Sequence, residues 1–354
     1  MKGGIVMSGI IDTYAAYSKD KKQRIDSSSG GIFSLLAERV LDKGGLVYGV
    51  AMSLDCKYAE YIRVDSKAEL SRLRGSKYLQ AIMGNTFQQV KTDIDAGLVV
   101  LFSGTGCQVN GLKVFLGKEY SNLYCVDVIC HGVPSPKLWR QYVQHIERHY
   151  KTNLVGINFR CKDDSWSDFG IKRINEKQKA VYISKTQDPF MLMFLGDYCL
   201  RPSCYECAAK QDKQSDLSMA DFWGINLILP DMNDGNGVSL IMVRTQKGEA
   251  LFDKISDNIV LKKVAYEEGV RGNRAEYSSA KRPNERLNFF TDMNSLSFEE
   301  LKNKYAVPVS IPFRIKVKKA IKIKIRKIPI LKFIGGGDKL KRQDYGMLFT
   351  FEEK

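Results

Sequence analysis

The chain has 354 residues, eight cysteines, three histidines and a formal charge of +15 at pH 7, and 44% of it is hydrophobic. That length exceeds one ordinary core and predicts two domains with tails, with apolar residues enough for sizeable cores. No apolar run approaches the roughly 18 residues of a membrane span, and MKGGIVMSGIIDTY lacks the apolar core and cleavage site of a secretion signal. A cytoplasmic protein is therefore expected, where cysteines serve metals or catalysis more often than disulfides.

In chain order, residues 1–25 read as an amino-terminal tail. The stretch SSSGGIFSLLAERVLDKGGLVYGVAM then predicts a helix capped by Ser29, with Ile32, Leu35, Leu36, Arg39 and Val40 on one face and Gly44-Gly45 at its end. A short apolar strand over 46–52 follows. A second unit runs from Glu69 through RLRGSKYLQAIMGNTFQQVKTDI to a strand at 98–102. After a short helix near 109–116 comes a strand over 123–130, and Ser135-Pro136 opens a long helix to Tyr150 that buries Leu138, Trp139, Tyr142, Val143 and Ile146. Residues 154–184 read as short antiparallel strands, 189–198 as a helix, 237–245 as a strand and 249–255 as a helix. The alternation predicts an α/β fold with α+β elements: mixed, partly parallel sheets layered with helices.

The charge is concentrated near the end. FRIKVKKAIKIKIRKIPILKF, residues 313–333, carries nine Lys or Arg and no acid, which leaves +6 for the rest. Its alternation reads as a strand, while Phe313, Val317, Ile321, Ile328 and Leu331 form a rough helical stripe, so periodicity leaves its form open. A basic amphipathic tail fits peripheral contact with an anionic membrane, or a solvated edge. No zinc-finger helix or aromatic RNA-binding strand supports a nucleic-acid partner.

Four cysteines carry a chemical signal. Cys107 follows one strand end and Cys130 closes the next; if those strands are parallel neighbours, both thiols arrive on one rim, where open α/β sheets collect ligands. Cys204 and Cys207, a Cys-x-x-Cys pair in RPSCYECAAK, need only fold back over that rim to complete four thiolates. Soft sulfur suits an iron–sulfur cluster or zinc. Structural zinc usually takes two close pairs, so one close pair and two dispersed thiols favour a cluster. Cys199 extends the pair to Cys-x4-Cys-x2-Cys, yet lies at a helix end beside Leu195 and Leu200 and reads as a buried thiol. Cys56, Cys125 and Cys161 read as core positions. His131, next to Cys130, is a candidate proton donor or a turn residue. His145 and His149, one helical turn apart among Glu147, Arg148 and Lys151, read as a solvated face.

The ordered set SSSGGIFSLLAERVL, RGSKYLQA, FSGTGCQVNGL, VDVICHGVPSPKLW and LRPSCYECAAK…SDLSMADFWGI, spanning about residues 26–265, resembles the beta subunit family of coenzyme F420 hydrogenases and dehydrogenases. The resemblance implies an iron–sulfur flavoprotein that passes electrons between a [4Fe-4S] cluster, FAD and a hydride carrier such as coenzyme F420. Cys107, Cys130, Cys204 and Cys207 would hold the cluster, with Pro202 stiffening the approach to the pair. Ser29, Gly30 and Gly31 would meet the FAD pyrophosphate at a helix start. Ser76, Lys77 and Tyr78 would contact the flavin, and Asp221 to Gly224 would close the site, with Asp221 and Trp223 as contacts. Residues 26–111 would form the flavin-binding domain, 112–285 the cluster- and substrate-binding domain, and 286–354 a helical and basic tail. The chain has Thr105-Gly106-Cys107 where the family has Thr-Pro-Cys, and it shows no ferredoxin module. Electrons would then come from a ferredoxin-like protein or a redox partner subunit. Compact bacterial relatives further imply service in surface-polysaccharide biosynthesis. The rival expectation is a metal-stapled scaffold in an envelope-polysaccharide assembly.

Overall fold

The computed structural model describes residues 9–163 and 165–307, all within one compact unit. The basic segment 313–333, with its expected membrane contact, lies outside the described residues.

Twelve strands are present among the described residues. β1 (Asp12–Ser18), β2 (Leu46–Met52), β3 (Ala59–Val64), β4 (Ala81–Ile82), β5 (Val100–Thr105) and β6 (Leu123–Val128) precede a separate group, β7 (Leu154–Cys161), β8 (Gly170–Asn175) and β9 (Ala180–Ser184). β10 (Leu217–Asp221), β11 (Ser239–Val243) and β12 (Ile259–Lys263) complete the set. Nine strands form one sheet in the order β12-β1-β11-β10-β6-β5-β2-β3-β4. Its middle, β10-β6-β5-β2, is parallel, and β1, β11 and β12 extend it antiparallel on one side. β7, β8 and β9 form a second, antiparallel sheet. The α/β expectation with mixed sheets is met.

Two expectations are corrected. Residues 12–18 are not tail: β1 pairs with β11 and β12, and Ala15 and Ala16 are fully buried. A strand buried on both faces shows no polar–apolar alternation, so its sequence carries no strand signature. The boundary at 111/112 does not separate independent bodies either, because β5 and β6 are hydrogen-bonded neighbours.

The helices follow their punctuation. α1 (Lys21–Asp26) is capped by Asp20, whose carboxylate accepts from the amides of Lys22 and Gln23. α2 (Ile32–Leu41) starts later than expected for a Ser29 cap: its cap residue is Gly31, with φ at +86°. That left-handed geometry is open to glycine and costly for a β-carbon. α3 (Thr86–Asp95) and α4 (Gly106–Leu116) cover the parallel strands, α4 ending at Gly117. α5 (Pro136–Tyr150) buries the five residues expected of it. Trp139 and Tyr142 pack there with Phe159, Phe190 and Phe298, supplied by β7, α6 (Pro189–Leu195) and α11 (Phe298–Tyr305). Each buried aromatic of this kind contributes about 1.5–3 kcal/mol through lost water contact. α7 (Ile225–Ile228), α8 (Gln246–Asp253), α9 (Tyr266–Val270) and α10 (Arg286–Ser295) complete the unit.

Candidate functional site

The cysteine rim follows from the parallel register. Thr105 of β5 stands opposite Val128 of β6, so Cys107 and Cys130 leave the same carboxyl edge of the sheet. Cys107 occupies the first turn of α4 and is exposed, its sulfur 3.2 Å from Thr105 Oγ1. The Gln108 carboxamide accepts from the Thr105 amide at 2.9 Å and fixes that turn. Beyond β6, the chain at 133–135 is strapped to 199–201: Ser135 N–H donates to Cys199 O (2.8 Å) and Arg201 N–H to Val133 O (2.9 Å). This strap delivers Cys204, at the end of a 3-10 turn (Pro202–Cys204), back to the rim. Pro202 opens that turn, where its fixed φ fits and its missing N–H is not needed.

Electrostatics record the proximity. Burial pushes the Cys130 thiol up to about 12; the Lys210 ammonium opposes the shift, and the thiols of Cys107 and Cys204 add to it. Burial also raises Cys204, which senses Cys107 and Cys207, while the Val133 amide, 3.5 Å from its sulfur, favours the thiolate. Cys207 is anchored through its amide, which donates to Ser279 Oγ at 3.0 Å. Lys210 donates to the carbonyls of Cys130 and Ala275 and so places a cation behind the rim. Cys107, Cys130 and Cys204 thus lie near one another at this edge, with Cys207 beside Cys204.

Among the described residues no three Cys, His, Asp or Glu side chains converge at single-ion distance. Tetrahedral zinc, with bonds of about 2.3 Å, needs sulfurs roughly 4 Å apart; a multi-iron cluster sets its thiolates wider. Cys199 is fully buried in the helical core, with its thiol held far above the usual range by burial. Cys56, Cys125 and Cys161 are buried as well.

The second constellation gathers around the Ser–Gly loop. Ser28 Oγ accepts from the Ser76 amide at 2.7 Å and lies 2.9 Å from Ser76 Oγ, which ties the two expected segments together. Ser29 caps nothing; its hydroxyl donates to Val238 O at 2.8 Å. Gly30 N–H donates to Ser239 Oγ, and a β-carbon on Gly30 would stand 2.4 Å from Ala16 O. Gly30 is therefore demanded by the chain's own packing against β1. Lys77 donates to the carbonyls of Arg72 (3.0 Å) and Arg74 (2.8 Å), and burial pushes it down to about 7. Tyr78 packs on Phe194 and Phe159, with its hydroxyl beside Arg160 and Ser76.

Asp221 ends β10, and its carboxylate lies 2.9 Å from Arg160 Nη2 while accepting from Trp166 Nε1 at 3.0 Å. Trp166 stacks on Trp223 with centroids 5.2 Å apart and planes within 9°. Arg160 and Lys162 escape the sequence reading. The β7–β8 register shifts between Asn158 and Cys161, and Phe159, Arg160 and Cys161 are buried in succession. Such a bulge breaks the alternation by which an inward arginine would be recognised. Lys162 donates to three carbonyls, of Arg24, Ser29 and Asn236, each at 2.8 Å, and burial pushes it down to about 7.

His131 Nε2 lies 2.6 Å from Asp197 Oδ1, and its ring meets Phe194 edge-on at 5.3 Å. Phe194 in turn touches Tyr78, so an aromatic path joins the rim to the Ser–Gly side. His145 and His149 stack along α5; His149 is exposed as expected, whereas His145 is half-buried against Phe298 of α11 and 3.5 Å from Glu299.

Comparison with protein families gives two matches in sequence order. Residues 13–87 match the coenzyme F420 hydrogenase/dehydrogenase beta subunit N-terminal region, and residues 98–268 match its C-terminal region. The chain belongs to this family. The N-terminal match holds the Ser–Gly loop and Ser76 to Tyr78; the C-terminal match holds all four rim cysteines, Arg160, Asp221 and Trp223. As a member of the F420 hydrogenase/dehydrogenase beta subunit family, it is a relative of oxidoreductase subunits. A solved structure from Methanosarcina barkeri, of the F420-reducing [NiFe] hydrogenase complex under xenon derivatization, aligns with TM-score 0.51 at 14% identity. The alignment covers 86% of this chain and 94% of that one, which shows a shared fold. Comparison with curated proteins gave no match. Among the described residues no helix is long and apolar enough to cross a membrane.

Proposed function

We propose that this family member is an FAD- and [4Fe-4S]-dependent oxidoreductase that exchanges electrons with a separate redox protein and a hydride with a small carrier of the F420 type. The observation that carries the reading is the approach of Cys107, Cys130 and the Cys204/Cys207 pair at one sheet edge, joined through His131, Phe194 and Tyr78 to a glycine- and serine-lined loop. When bound, the cluster supplies one-electron transfer and the flavin supplies hydride transfer.

The residues present fit those groups. Cys107, Cys130, Cys204 and Cys207 are the ligand set, with Val133 N–H at Cys204 and Lys210 behind Cys130 stabilising negative sulfur. On the other side, the uncapped start of α2 and the Ser28 and Ser76 hydroxyls form a polar cradle suited to a pyrophosphate, while Lys77, next to Ser76, is turned onto the carbonyls of Arg72 and Arg74. Asp221 and Trp223 border the ring end. His131, held by Asp197, would keep a proton between the two groups.

Anaerobically purified protein should carry about four irons and bound flavin, with a broad absorption near ~400 nm that bleaches on reduction. Stoichiometric zinc without iron, or protein made with excess FAD that remains colourless, counts against the proposal.

A further inference from the structure

The least expected group near the Ser–Gly side is Arg160. Its side chain is buried to 3% exposure; Nη2 lies 2.9 Å from an Asp221 oxygen without hydrogen-bond alignment and the Tyr78 hydroxyl stands beside the guanidinium, yet Nε has no partner among the described residues. The ion pair to Asp221 balances its charge but leaves Nε–H open. A buried guanidinium with open donors is costly in a finished interior. It is explained where a group outside the chain completes it.

The surroundings say what kind of group. The guanidinium carbon lies 3.8 Å from the Phe169 ring centroid and 5.1 Å from that of Trp223. Phe169 and Trp166 are closed off, whereas Tyr78, Asp221 and Trp223, which border Arg160, are half-buried and reach solvent. Aromatic walls favour a flat partner. The Asp221 carboxylate beside Arg160 disfavours a doubly charged phosphate but tolerates one delocalised negative charge. The donors suited to phosphate sit elsewhere, at Ser28, Ser76 and the start of α2.

We propose that Arg160 is the ligand-facing cation of this site, donating through Nε–H to the electron-rich pyrimidine edge of the flavin ring, with Trp223 beside it as the flat wall. This rests on the flavin reading above and assigns the end of the cofactor that the bulge in β7 serves. Phe169 and Asp221 hold the guanidinium in place, so its donors need little reorganisation on binding.

The test uses full-length flavin-free protein and three probes, FAD, riboflavin and ADP, titrated by calorimetry and by tryptophan fluorescence. Trp166 and Trp223 report locally, being two of the three tryptophans in the chain. Arg160→Gln should weaken riboflavin and FAD by about tenfold or more, the scale of one lost charge-assisted hydrogen bond, and leave ADP within about twofold. It should also lower the reduction potential of bound FAD, because positive charge at the ring edge favours the electron-rich form. Should the Gln variant not fold, Arg160→Lys carries the test: charge is kept, the Nε–H is lost, and riboflavin affinity falls while ADP affinity holds. Weakened ADP binding with riboflavin unchanged would place Arg160 at the phosphates and overturn the assignment. Riboflavin binding unchanged in both variants overturns it as well. Failure of the parent protein to bind FAD, riboflavin or ADP overturns the flavin reading itself, a separate result.

Discussion

The cysteine rim and the Arg160 wall lie in one compact unit but are specified in different ways. At the rim, Cys107 and Cys130 follow the ends of two regular parallel strands, and the register Thr105 to Val128 carries them to the same edge. At the wall, Arg160 faces inward because a bulge re-aims β7, and its partners Asp221, Phe169 and Tyr78 come from three other segments. Groups hung on regular elements can be placed by counting along the chain. Groups aimed by an irregularity can be placed only by the packed structure.

The largest effect should come from the rim. Cys204→Ser or Cys207→Ser removes a soft thiolate from the proposed set and should reduce cluster iron to background. Cys199→Ala should keep the full complement, because that thiol sits in the helical core near Met193 O and not on the rim. Its cost should instead appear as lost stability of about 1–2 kcal/mol from the small cavity. Iron analysis of the three anaerobically prepared variants decides this. Iron lost from Cys199→Ala but retained in Cys207→Ser would redraw the ligand set.

A smaller effect concerns Gly30, which has different meanings on the two readings. As a phosphate-contact glycine it would affect cofactor binding alone; as a packing glycine it must affect the fold. The 2.4 Å approach to Ala16 O favours packing, and neither backbone segment can yield cheaply. Gly30→Ala should lower the unfolding free energy of flavin-free protein by about 3 kcal/mol, the upper range for overpacking. Thermal or denaturant unfolding without flavin is the relevant measurement. Unchanged stability there, with weakened FAD binding, would return Gly30 to a purely cofactor-facing role.

What was legible in the sequence follows the same division. α5 was readable to the residue because one stripe, Leu138 to Ile146, faces one core. β2 was readable as a bounded apolar run, Cys107 and Cys130 through their strand ends, and Cys204 and Cys207 through their spacing. β1 was not, since Ala15 and Ala16 are buried on opposite faces and only pairing with β11 and β12 makes them a strand. The Ser29 cap failed by two residues because a hydroxyl beside two glycines looks like a cap, whereas Gly31 takes the left-handed turn and Ser29 bonds to Val238 O. Lys162 gave no signal at all, as its three acceptors are distant backbone carbonyls.

Lys162 also yields the smallest and most diagnostic prediction, because it stands two residues beyond Arg160 and is placed by the packed structure alone. Its ammonium ties the end of α1, the Ser–Gly loop and the 236 turn together. Burial depresses it to about 7 from an ordinary 10.5, with Asp221 and Asp234 favouring the charged form and Arg160 and Arg24 opposing it. Between those values the unfolded chain binds more protons than the folded one. Stability therefore rises with pH from about 7 toward 10.5, and this contribution is lost as pH falls through 7. The slope is at most about 1.4 kcal/mol per pH unit, and less in practice, since three carbonyl acceptors favour the ammonium. Lys162→Met keeps the apolar stem and removes the titration. The stability difference, parent minus variant, should grow with pH from 7 to 10, measured by urea unfolding at fixed ionic strength. A difference that stays flat across that range would show that the carbonyl cage keeps Lys162 charged throughout and that the lysine acts as a fixed pin.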